Sequence, residues 1–211
     1  MIEQNKTNFA IGLDLDNTII GYGHLFYDVA LEKKWIPAQC IKDKIAVREY
    51  LQAKGRNDLW TELQGLIYGP YLAEAAPYAG VDDFLRECRR LCIPVWIVSH
   101  KTRFPAIGVQ HDLHASASAW LFASGLIQDE IGGVNKDRVL FCETRAEKIA
   151  AIIKLQLTHF VDDLPEVFLD ADFPKKTRRY LYAPEDIQGR VPACERVISW
   201  QDLKKTLLNG E

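Results

Sequence analysis

Hydrophobic and polar positions follow one another along this chain in two rhythms. Short unbroken apolar runs occur at Phe9-Ala10-Ile11-Gly12-Leu13, at IPVWIVS ending in Ser99, at RVLFC ending in Cys142 and at LTHFV ending in Val161. Runs of this length and density suit strands buried on both faces of a parallel sheet. RRYLYA, ending at Ala183, reads as a further strand and as the last one. Between these runs apolar residues recur three and four apart, in VDDFLRECRRLCI, HDLHASASAWLFASG, TRAEKIAAIIKLQ and the closing SWQDLKKTLL. That spacing predicts amphipathic helices, with Asp112 placed to cap the second of them and Gly125 to stop it. The alternation of strand and helix implies crossover connections. It predicts an α/β fold with a Rossmann-like three-layer core around a central, mainly parallel sheet.

One region departs from the alternation. After Gly21-Tyr22-Gly23 breaks the opening pattern, HLFYDVALEKKW, PAQCIKDKIAVREYLQAK and NDLWTELQGLIY all carry helical spacings, with Pro37, Asn57 and Gly69 at the boundaries. Pro77 and Gly80 close the stretch. This predicts a small all-helical insert over residues 22–76 between two core segments, 1–21 and 77–211. Trp35, Trp60, Tyr68 and Tyr71 are read as the filling of the insert's own core.

Composition narrows the picture only by exclusion. The 211 residues are enough for one α/β domain and an insert, and 48% hydrophobic with 26% charged residues is ordinary for a globular chain. Lys plus Arg number 26 against 29 Asp plus Glu, a net charge of −3, which argues against an extended nucleic-acid or membrane-binding surface. Five cysteines without a CxxC pair point to reduced thiols, so a cytoplasmic location is expected. Cys88 and Cys92 lie one helical turn apart and read as a packed helix face. The amino terminus has no basic region leading into a long apolar stretch, and no segment approaches about 18 apolar residues, so neither export nor membrane insertion is expected.

The candidate chemistry gathers at the ends of the expected strands. Asp14 and Asp16 follow the first strand two residues apart, so in extended backbone both carboxylates face one side. Like charges so close repel unless a cation sits between them, which suggests a magnesium site at the carboxyl end of a strand. Ser99 ends another strand and precedes the basic stretch His100, Lys101, Thr102, Arg103. Cations there suit a second anionic group on a ligand, or form a solvated loop. Lys148 stands about one turn into its helix, placed to lean toward an anion or to pair with Glu143 or Glu147. Asp162 and Asp163 close a further strand as a second acidic pair, ahead of Pro165 at a helix start. His111 and His114, three apart, read as helix-cap or surface residues because no third metal ligand accompanies them.

With DLDNT at 14–18, VSH at 98–100, the helical Lys148 and VDD at 161–163 in this order, the chain resembles the haloacid dehalogenase superfamily, most of whose members are phosphatases. The resemblance spans nearly the full chain, and the helical insert resembles the cap that many members carry between the first two motifs. It implies a hydrolase acting on phosphate monoesters: a magnesium-dependent phosphatase for a small phosphorylated metabolite. Asp14 would be the nucleophile that forms an aspartyl-phosphate, and Asp16 the general acid and base. Mg2+ would be held by Asp14, by one or both of Asp162 and Asp163, and by the backbone carbonyl of Asp16. Ser99 and Lys148 would steady the transferring group, Thr18 would orient the loop, and His100, Lys101 and Arg103 would lie on the substrate side. The dehalogenases of the superfamily lack an acid at the position of Asp16, because a halide leaves without a proton, so its presence favours phosphate transfer. Two alternatives stay open: a phosphotransferase or phosphomutase of the same superfamily, and a non-catalytic binding protein that keeps the fold.

Overall fold

A computed structural model describes residues 9–127, 134–184 and 193–209. The first eight residues, part of the amino-terminal stretch read above, lie outside them. In chain order the elements are β1 (Ile11–Leu13), β2 (Ile20–Gly21), α1 (Leu25–Glu32), α2 (Lys44–Ala53), α3 (Asn57–Tyr68), β3 (Ala76–Pro77), α4 (Val81–Arg90) and β4 (Val95–His100). They continue with α5 (Leu113–Ala123), β5 (Val139–Cys142), α6 (Arg145–Lys154), β6 (His159–Asp162), α7 (Pro165–Phe168), β7 (Arg178–Tyr182), β8 (Glu195–Val197) and α8 (Trp200–Lys204). Helices α4, α6, α7 and α8 accompany a six-stranded parallel sheet of order β5-β4-β1-β6-β7-β8, the α/β Rossmann-like fold expected from the alternation.

That order places β1 between β4 and β6. From β1 the chain builds outward through β4 to β5, then returns to β6 on the other side of β1 and builds the opposite way. Such a reversal opens a crevice at the carboxyl ends of the central strands, where sheets of this kind bind ligands. The register brings the ends level: Leu13 lies beside Ile97 and beside Val161, and the Asp14 amide donates to the Val161 carbonyl at 2.9 Å. The central strands read as continuous hydrophobic runs because both faces are covered. Ile11, Leu13, Ile97, Val98, Phe160 and Val161 are all fully buried.

The chain divides into two compact units, Met1–Ile19 with Pro77–His100 and Gly125–Glu211, and Ile20–Ala76 with Lys101–Ser124. The second unit thus takes in α5 as well as the helices of the insert, because α5 packs on α3 and on the 3-10 turn at Pro70–Glu74. Trp120 Nε1 fastens it there by donating to the Ala75 carbonyl at 2.9 Å. An aromatic cluster fills this unit: Phe26 stacks on Trp60 at 5.3 Å between centroids and meets Tyr22 and Tyr68 edge to face. Among the described residues no helix is long and apolar enough to cross a membrane.

Two elements differ from the sequence reading. Residues 37–43 are not helical; the Asp43 carboxylate accepts from the amides of Ile45 and Ala46 and so starts α2 at Lys44. RRYLYA is not the last strand. β8 follows it, paired to β7 at the sheet edge, and its three residues include only one buried side chain, too short a pattern to stand out as an apolar run.

Candidate active site

The loop after β1 turns sharply. Asn17 takes a left-handed φ of 59°, a conformation Asn tolerates better than most residues, and the Ile19 amide closes the turn on the Leu15 carbonyl at 2.9 Å. Trp200 of α8 holds the turn from outside, its indole donating to the Thr18 carbonyl at 3.2 Å. Asp14 is thereby fixed at the strand end, only 5% exposed.

Lys148 reaches the same place from α6. Thr144 caps this helix by accepting from the Glu147 amide at 3.1 Å, and Glu147 reaches back to the Glu143 amide at 2.8 Å. The glutamate is thus used by its own helix end, and Lys148, one residue on, points inward. Its Nζ donates to Asp14 Oδ1 at 2.5 Å and to Asp162 Oδ2 at 2.6 Å, with the ammonium 1% exposed. Asp162 also accepts from the Leu164 amide through Oδ1 at 3.0 Å, a side-chain turn two residues long that leads the chain from β6 toward α7.

The charges explain the proton affinities. Burial pushes the Asp14 carboxyl up to about 7; Lys148 opposes the rise, and the negative charges of Asp162 and Asp16 add to it. Burial works against the Lys148 ammonium too, but Asp14 and Asp162 outweigh it and hold its pKa above the ordinary lysine value. One ammonium faces at least two carboxylates. Asp163 brings a third, and single oxygens of Asp14, Asp162 and Asp163 all lie within 4.8 Å of one another, the only such acidic group among the described residues. Hard oxygen donors in excess of the local positive charge fit a magnesium ion.

Two buried hydroxyls belong to the same pair of strand ends, those of β1 and β4. Ser99 at the end of β4 and Thr18 in the turn after β1 are both fully buried, and neither hydroxyl has a hydrogen-bond partner among the described residues. An unmet buried hydroxyl is costly, and a ligand oxygen would relieve it.

Four of the sequence candidates, Asp14, Lys148, Asp162 and Asp163, are therefore assembled directly, and Asp16 acts on Asp14 through its charge. His100 is exposed at the end of β4. Lys101 and Arg103 belong to the second unit. There the Lys101 ammonium lies 4.6 Å from the Tyr68 ring centre, the Lys101 carbonyl accepts from His114 Nε2 at 2.7 Å, and Arg103 Nε donates to Asp112 at 3.0 Å. Two residues near the acids went unnoticed in the sequence, Gly12 and Phe160. The signal was a glycine inside a buried strand, which marks a close approach.

No family model matches the chain, and no curated protein matches it. Solved structures do. A HAD family hydrolase from Deinococcus radiodurans, solved with phosphate and sodium, superposes with a TM-score of 0.60 at 14% identity over 96% of each chain. The chain has the haloacid dehalogenase fold. The magnesium-bound HAD-hydrolase YfnB of Bacillus subtilis agrees at a TM-score of 0.60 and 12% identity, over 95% of this chain and 98% of that one. A predicted phosphoglycolate phosphatase from Haemophilus somnus does so at 0.55 and 17%, over 95% and 99%. A protein described as a dehalogenase shares this haloacid dehalogenase fold at 0.53 and 15%, over 97% and 99%. Identities this low carry the fold and leave the chemistry to the residues.

Proposed function

We propose that the chain is a magnesium-dependent phosphatase that hydrolyses a small phosphomonoester through an aspartyl-phosphate on Asp14. The observation that carries this reading is the buried assembly of Asp14, Lys148 and Asp162 at the carboxyl ends of β1 and β6, with Asp163 beside it. Asp14 presents a carboxylate oxygen to phosphorus, and covalent attachment divides one difficult displacement into two easier ones. Lys148 holds that carboxylate in place and offsets the charge that gathers on the phosphoryl oxygens. Asp16 protonates the leaving alcohol and then takes a proton from the attacking water. Ser99 and Thr18 offer their buried hydroxyls to phosphoryl oxygens. Mg2+, held by Asp14, Asp162 and Asp163, would supply electrostatic relief for an anionic substrate among acids.

The dehalogenase among the structural neighbours makes attack on carbon the competing chemistry, and Asp16 favours phosphate because only an alkoxide leaving group needs a proton. The test is magnesium-dependent phosphate release from a panel of phosphomonoesters, an aryl phosphate included. Wild type should turn over at least one of them, and Asp14→Asn should lose about 10^3-fold or more while remaining folded. Unchanged turnover in the variant removes Asp14 as nucleophile. No turnover across the panel, with halide released from a haloacid instead, overturns the phosphatase reading.

A further inference from the structure

Asp14 and Asp162 sit side by side because their strands are in register, and the same register sets Gly12 against Phe160 two residues earlier. Side chains two apart on a strand share a face, so the Phe160 ring lies on the face that carries the two acids. The approach is close: a Cβ placed on Gly12 would stand 2.5 Å from Phe160 Cδ2, 2.7 Å from Phe160 Cε2 and 2.5 Å from Leu157 Cδ1. A methyl group at position 12 would force the Phe160 ring or the Leu157 side chain to shift. The ring therefore leans over β1, and the Lys148 ammonium lies 5.4 Å from its centre while bonded to the two carboxylates. Phe160 is completely buried, so its face is dry.

We propose that Phe160 is a positioning residue for Lys148, and that the chain keeps glycine at position 12 to seat the ring that does it. Two carboxylates alone leave a lysine free to swing about the line joining them. A third attraction, from the negative face of a desolvated ring, removes that freedom. Lys148 is then held at three points, and the Asp14 oxygen that it binds is held with it. A leucine at 160 would fill much of the same space and supply no such attraction.

The kinetic arm of the test rests on the phosphatase reading; the spectroscopic arm does not. In Phe160→Leu, kcat for an aryl phosphate should fall about tenfold with KM within about twofold. Phe173→Leu is the control, because Phe173 is as deeply buried in the same apolar cluster and touches the Phe160 ring edge to face at 6.4 Å. It should destabilise the fold comparably and leave kcat within about twofold of wild type. By proton NMR, the side-chain resonances of Lys148, assigned by their loss in Lys148→Met, should be displaced upfield by the ring, lose that displacement in Phe160→Leu and keep it in Phe173→Leu. Gly12→Ala should displace the same resonances, and Phe160→Leu decides the matter if that variant does not fold. Lys148 resonances unmoved in Phe160→Leu, or an equal loss of kcat in both leucine variants, overturn the proposal. If wild type turns over no phosphate, the phosphatase reading fails, and the resonances still decide whether Phe160 positions Lys148.

Discussion

In the first unit Lys148 Nζ lies 2.5 Å from Asp14 and 2.6 Å from Asp162, with side chains 1%, 8% and 0% exposed. In the second, Arg103 Nε lies 3.0 Å from Asp112, with side chains 60% and 31% exposed. Separation hardly distinguishes the two contacts, yet their surroundings do. In water an ion pair competes with hydration on both sides, and exposed pairs contribute about 0–1 kcal/mol. Out of water each charge depends on its partner, and losing one partner strands the other. The Lys148 assembly is thus the kind that holds charge where chemistry can use it. The Arg103 contact chiefly steadies the segment leading into α5.

The sharpest break of this contrast is Lys148→Met, which keeps the length of the side chain and removes its charge. It leaves Asp14 and Asp162 buried and facing each other. Urea unfolding without divalent metal should show a loss of about 4 kcal/mol, and the phosphatase turnover proposed above should be lost in a separate assay with magnesium. Arg103→Met should lose no more than about 0.5 kcal/mol in the same measurement. Equal losses in the two variants would remove burial as the distinction.

His159 provides the intermediate case, a buried base that pairs with no acid among the described residues. It lies in β6, 6% exposed, between the rings of Phe9 at 4.3 Å and Tyr180 at 5.9 Å, with Nδ1 2.8 Å from the Thr158 hydroxyl. Burial, aided by the positive charge of Arg178, pushes its pKa down from 6.5 to about 4. The folded chain therefore prefers the neutral ring. Above pH 6.5 folded and unfolded chains are both neutral there, and the stability is complete. As pH falls from 6.5 toward 4 the unfolded chain takes a proton that the fold refuses, and up to about 3 kcal/mol is lost. Urea titrations at a series of pH values should show this slope in wild type, added to that of the carboxylates, and a shallower one in His159→Gln. Parallel slopes would show that burial leaves the imidazole unaffected.

The same division by environment governs what could be read from the sequence. Strand and helix alternation, the Asp112 cap and the strand-end acids were legible, because each rests on a local pattern or a fixed spacing. Lys148 was legible as a cation in the right helix, with Glu147 an equally good local partner. Only the fold shows that Glu147 is occupied by the helix end and that Lys148 turns to Asp14 and Asp162, 134 and 14 residues away. Gly12 and Phe160 could not be paired at all without the register, which is a property of two strands. The attachment of α5 to the second unit depends on Trp120 finding the Ala75 carbonyl 45 residues earlier, and no periodicity within HDLHASASAWLFASG carries that information.

The smallest effect separates the two duties of Asp112. Its Oδ1 accepts from the Ala115 amide at 2.9 Å and caps α5, while its Oδ2 receives Arg103 at 3.0 Å. Both interactions lower its pKa, the backbone bond first and the arginine second. Replacement by alanine removes both and should cost about 1 kcal/mol, the ordinary value for a lost cap. Asparagine keeps an oxygen for the Ala115 amide and removes the charge that Arg103 sees. If the ion pair contributes little because it is exposed, Asp112→Asn should stay within about 0.5 kcal/mol of wild type, and adding 0.5 M salt should change the two proteins alike. An asparagine variant as unstable as the alanine variant would move the stabilisation from the cap to the charge, and the exposed pair would then have to be counted with the buried one.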